Sequence, residues 1–193
     1  MAQTVLFVHG AWLTPSSWDR FRSRFEARGH VTMAPPWPFL DRAVEDLRRA
    51  PDPGLAGLTI GSWWLITSAR NFAQDLPPNE QREVYQREIV PAPGRLFFQA
   101  ALHIGDGVRY ANAQRAPLLL MAGEKDRTVE ASMVRAAFRS YRRSRATTEL
   151  QSFPDRSHFL INSPGWEEVA DAAIDWVGRH TAPARVAGAT ASG

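Results

Sequence analysis

Val5-Leu6-Phe7-Val8-His9-Gly10-Ala11-Trp12 decides the fold. Residues 4–8 form a short continuous apolar run that ends in His-Gly, the pattern of a strand buried on both faces in a parallel sheet. Ser16 or Ser17 then caps a helix that begins near Trp18, with Trp18, Phe21 and Phe25 at helical spacing. Gly29 stops that helix. His30-Val31-Thr32-Met33-Ala34 is the next strand, and Pro35-Pro36-Trp37-Pro38 ends it. Strand, helix, strand is the building unit of a parallel sheet.

The same order returns in the second half. Pro117-Leu118-Leu119-Leu120-Met121-Ala122 reads as a buried strand, Gly123 to Val129 as a loop, and Ser132 to about Ser144 as a helix. Thr147 to Phe153 alternates as a strand should. After the loop holding His158, Trp166 to His180 is an amphipathic helix with Val169, Ala173, Trp176 and Val177 inward. Between the halves lie a helix from Asp41 to Ala50, a Pro/Gly-rich loop, and Trp63-Trp64-Leu65-Ile66-Thr67, which fits a strand or a helix segment equally. Helices are predicted from Asn79 to Val90 and from Leu96 to Leu102, with Pro91-Ala92-Pro93-Gly94 between them.

A chain of 193 residues with 44% hydrophobic content and 7 Trp is large enough for one domain with its own core. That domain is read as residues 1–180, with a frayed tail over 181–193. The absence of Cys excludes disulfides, thiolate nucleophiles and Cys-ligated metals. No His/Asp/Glu spacing resembles a metal site, and none suggests a cofactor. The N-terminus has neither a basic start nor a long apolar region, so it does not read as a signal peptide. No segment reaches the roughly 20 apolar residues of a membrane span. The expectation is a cytoplasmic protein without a membrane partner. The pI of 9.9 accompanies a formal net charge of only +3. Arg135, Arg139, Arg142, Arg143 and Arg145 fall at helical spacing without an aromatic-lined groove, which is the pattern of a solvated helix face rather than a nucleic-acid site.

Three segments together carry a family resemblance: Leu6 to Trp12; Pro117 to Asp126, closing in Gly123-Glu124-Lys125-Asp126; and Phe153 to Leu160, holding Arg156-Ser157-His158-Phe159. In this order, each ending a predicted strand, they resemble the α/β-hydrolase superfamily in its small bacterial lipase- and esterase-like branch. The resemblance covers residues 4–58 and 76–180. It implies an α/β fold, a mostly parallel sheet with flanking helices and a helical cap, here reduced to about residues 70–105. It also implies Asp126 and His158 as the acid and base of a triad, and Gly10 and Ala11 as amide donors to an oxyanion, with Trp12 lining the pocket. His9 braces that loop.

What the family places between these segments is absent. A strand should lead into small-x-Ser-x-small, where a strained turn requires small flanking residues. Leu58-Thr59-Ile60-Gly61 matches the family up to that point, and the elbow never follows. Ser68 comes after an apolar run, but Ile66 and Arg70 stand where small residues belong; Ser62 has Ile60 and Trp64. Loss of the strand contracts the sheet to four or five strands. The first strand closes against residues 117–122, or Trp63 to Thr67 fills the gap, or the open edge dimerises.

Removing a triad serine costs on the order of 10⁶ in kcat and leaves about 10³ over water. Ester hydrolysis is therefore expected to be weak or absent. Two alternatives stay open: a working esterase or lactonase that has recruited Ser68, and a cofactor-free enzyme using the Asp126–His158 pair as a general base. Each takes a small-molecule ligand.

Overall fold

The computed structural model describes residues 2–51, 71–92, 99, 102, 104–105 and 107–180. Ser62, the Trp63–Thr67 segment, Ser68, most of the helix predicted over Leu96 to Leu102, and the tail lie outside the described residues.

Strand β1 (Thr4–Leu6) pairs in parallel with β2 (Val31–Met33), matching Thr4 to Val31 and Leu6 to Met33. One further bond at each end, Val31 N to Gln3 O at 2.9 Å and Phe7 N to Met33 O at 2.7 Å, extends the ladder. A 3-10 turn over Pro15–Trp18 and helix α1 (Asp19–Ala27) connect the two. The serine caps expected here do not form. Ser17 Oγ donates to Thr14 O at 2.7 Å and Ser16 Oγ to the carboxylate of Glu88 at 2.7 Å. Pro15 begins the turn early, so Ser16 and Ser17 fall inside it and not at the start of α1, whose cap position is Trp18. Gly29, with φ 83°, closes α1, and His30 N returns to Phe25 O at 3.1 Å.

Helices α2 (Val44–Arg49) and α3 (Pro78–Glu88) follow. Strand β3 (Leu118–Gly123), helix α4 (Ala131–Tyr141) and strand β4 (Thr148–Phe153) then form a second parallel unit, and α5 (Trp166–His180) completes the chain's described elements. The architecture is mixed α/β. Among the described residues the strands form two parallel pairs, β1–β2 and β3–β4, and a continuous sheet of four to five strands is not made by them.

One core nevertheless joins the pairs. Phe7, Phe21 and Phe25 from the first unit pack with Phe153, Val169, Ala170 and Ile174 from the second. Each buried Phe contributes about 1.5–3 kcal/mol by leaving water. Outside that core, Arg24 forks onto Asp171 at 2.9 and 2.7 Å, tying α1 to α5. The opposite face of β1–β2 is bare: Leu6, Val8, Val31 and Met33 are each more than half exposed. No helix among the described residues is long and apolar enough to cross a membrane.

Candidate active site

The β3–β4 register runs from Leu118–Thr148 to Gly123–Phe153, and the ladder does not stop there. Glu124 N bonds to Phe153 O and Lys125 N to Arg156 O, both at 3.0 Å. The two chains cross so closely that a Cβ on Gly123 would lie 2.4 Å from Arg156 O and 2.6 Å from Ser157 O. Only glycine fits that crossing. Lys125 and Asp155 pair across it at 2.7 Å, and the Lys125 hydrogen bond holds the Asp155 carboxyl below its ordinary range.

Just beyond the crossing, His158 Nδ1 lies 2.8 Å from Asp126 Oδ2. The other carboxylate oxygen accepts the amides of Thr128 at 2.7 Å and Val129 at 2.8 Å. The Asp126 side chain is 7% exposed and that of His158 30%. Three hydrogen bonds thus fix the carboxylate, which favours a proton on the facing Nδ1. The His158 ring rests against Phe72, centroid to centroid 5.0 Å. Among the described residues no hydroxyl hydrogen-bonds this ring.

The first loop is built differently. His9 is 2% exposed; its Nδ1 donates to Gly10 O at 2.9 Å and its Nε2 accepts from Trp37 N at 3.3 Å. Burial lowers its pKa below 6.5, only partly opposed by the Gly10 bond. Both nitrogens are engaged by backbone, so this imidazole is a brace. Gly10 O also receives Leu13 N at 3.1 Å, and Trp12 O receives Val90 N at 2.9 Å. Among the described residues the Gly10 and Ala11 amides donate to no protein acceptor. Trp12 and Leu13 pack in one cluster with Phe72 and Phe159. The structure therefore brings Asp126 and His158 together directly, joins the Gly10-Ala11-Trp12 loop to them through shared apolar contacts, and leaves Ser68 outside the described residues.

A part of the site that the sequence did not signal is Asn71–Leu76. Thr128 Oγ1 donates to Asn71 O at 2.9 Å, Gln74 donates to Lys125 O, and Phe159 N bonds to Phe72 O at 3.0 Å. Asp75 takes hydrogen bonds from Ser157 and Ser163. This segment, where the resemblance places the reduced cap, touches both the acid loop and the histidine loop. On the other side of Asp126 lies a cavity of about 270 Å³ lined by Glu124, Arg127, Glu130 and Arg135 among others. Arg135 donates to Glu124 at 2.8 Å and holds its carboxyl below the ordinary range. Among the described residues no group of three or more acidic or histidine side chains is placed to hold a metal ion.

No protein-family model and no curated protein matches the chain.

Proposed function

We propose that this is a shortened α/β-hydrolase-like protein whose Asp126–His158 pair acts as an oriented general base on a small-molecule ligand, with ester hydrolysis weak or absent. The carrying observation is the 2.8 Å bond from His158 Nδ1 to a carboxylate whose second oxygen is held by two amides. It turns Nε2 away from the acid, on a ring that remains partly open to solvent. The Gly10-Ala11 loop supplies amides toward developing negative charge, and Trp12 supplies the apolar wall. Without an elbow serine and its following amide, acyl transfer loses both its nucleophile and half its usual oxyanion site.

Labelling with a fluorophosphonate and turnover of a short-chain nitrophenyl ester test this reading. The expected result is no stoichiometric label and turnover at most about 10³ over background, lost in His158→Ala. Stoichiometric labelling that disappears in Ser68→Ala would overturn it in favour of a recruited serine.

A further inference from the structure

We infer that Asp75 is a positioning residue for His158, holding the backbone on both sides of the imidazole so that the bond to Asp126 keeps its length. The inference rests on the reading of Asp126 and His158 as the working pair.

Asp75 Oδ1 accepts from Ser157 Oγ at 2.7 Å and from Ser163 Oγ at 3.0 Å, while Oδ2 accepts from Ser157 N at 3.3 Å. Both serines are fully buried. Ser157 Oγ in turn accepts from Phe159 N at 3.2 Å, and the same amide reaches Phe72 O at 3.0 Å. Residues 157 and 159 are thus both anchored on the Asn71–Leu76 segment, and His158 is the residue between them. Its ring also leans on Phe72, one residue after Asn71 and three before Asp75.

The chemistry of this anchor is specific to a carboxylate. Three donors converge on two oxygens, and a carboxylate offers acceptors alone. An amide at this position would offer one acceptor oxygen and turn an N–H₂ group toward a donor. The resulting repulsion falls on Ser157, next to the imidazole. A hydrogen-bonded pair tolerates only about 0.5 Å of displacement before its geometry degrades. The Asp75 carboxylate therefore sets the ring's place without touching ligand.

Proton NMR of the full chain tests this without a substrate. The Nδ1 proton of His158, bonded to Asp126, gives a low-field resonance identified by its loss in His158→Gln. Asp75→Asn should shift that resonance upfield or erase it while far-ultraviolet circular dichroism stays native. Ser163→Ala removes one of the three bonds and should speed the proton's solvent exchange about 3–10-fold, the effect of one hydrogen bond. If Asp75→Asn does not fold, Ser163→Ala decides. A resonance unmoved in the folded variants overturns this inference and leaves the Asp126–His158 pair standing. A native chain lacking the resonance overturns the pair, and this inference with it.

Discussion

Each strand pair delivers a histidine loop, but the two halves hold their histidines in opposite ways. The β1–β2 pair has three-residue strands, one face packed on the phenylalanine core and the other bare. Its His9 is sealed and saturated by backbone partners. The β3–β4 pair has six-residue strands whose ladder continues into the loops, and its His158 is held at Nδ1 by a carboxylate, on a ring still partly exposed. The contrast teaches that a histidine after a strand is not a base by position. What matters is what holds each nitrogen. In the first half burial and a backbone amide engage the second one; in the second a carboxylate holds Nδ1 and the ring keeps some exposure.

The largest expected effect separates the two glycines that shape these loops. Gly123→Ala drives a Cβ into the Arg156 and Ser157 carbonyls, backbone atoms that cannot swing aside. It should cost about 3 kcal/mol, a fall of about 6–12 °C in Tm for a chain of this size. Gly10→Ala meets only Leu13 Cδ1 at 3.7 Å, an ordinary contact, and should stay within about 0.5 kcal/mol. Thermal melts of the two variants measure the difference; equal losses would erase the distinction between the halves.

A smaller effect distinguishes the histidines by pH. His9 is buried neutral with its pKa depressed below 6.5, so in that window the unfolded chain binds more protons than the folded one. Its contribution to stability is complete above pH 6.5 and is lost as pH falls toward the depressed folded value. His9→Gln should flatten this limb of the Tm-against-pH curve. A limb of unchanged slope in the variant would assign the acid sensitivity elsewhere.

The smallest effect concerns the bare aliphatic face. Val31→Thr exchanges a methyl for a hydroxyl on a side chain that water already reaches, and should change stability by no more than about 0.5 kcal/mol. The same exchange at a covered sheet position would cost several times that. Denaturant melts check it, and a loss above about 1 kcal/mol would mean that the face is covered in solution.

Much of this was readable in the chain itself, and the unread remainder has a common cause. The apolar runs at residues 4–8 and 117–122 locate β1 and β3, and Gly29 and the Trp166 to His180 pattern mark helix ends, because period and glycine chemistry act over a few residues. The Asp126–His158 contact was legible through the family resemblance, whose second and third segments place an acid in the loop after β3 and a histidine in the loop after β4. The serine caps failed because the turn that Pro15 starts takes in both serines, and Ser16 instead donates to Glu88, 72 residues away. Asp75 escaped notice for the same reason, since Ser157 is 82 residues from it. Hydroxyl–carboxylate contacts at such separations leave no local trace. Loss of the central strand already pointed to one strand pair in each half; that the described strands do not close into one sheet was hidden, because an apolar strand looks the same whether or not both its faces end up covered.

One consequence follows from the ladder that runs past the ends of β3 and β4. Because the acid and the imidazole hang from the tips of two rails already bolted together at Glu124 and Lys125, a tilt of the sheet would carry both together. Their separation would be the coordinate least disturbed by such a tilt, and the Asn71–Leu76 segment, bonded to both loops, ties the pair to the rest of the fold.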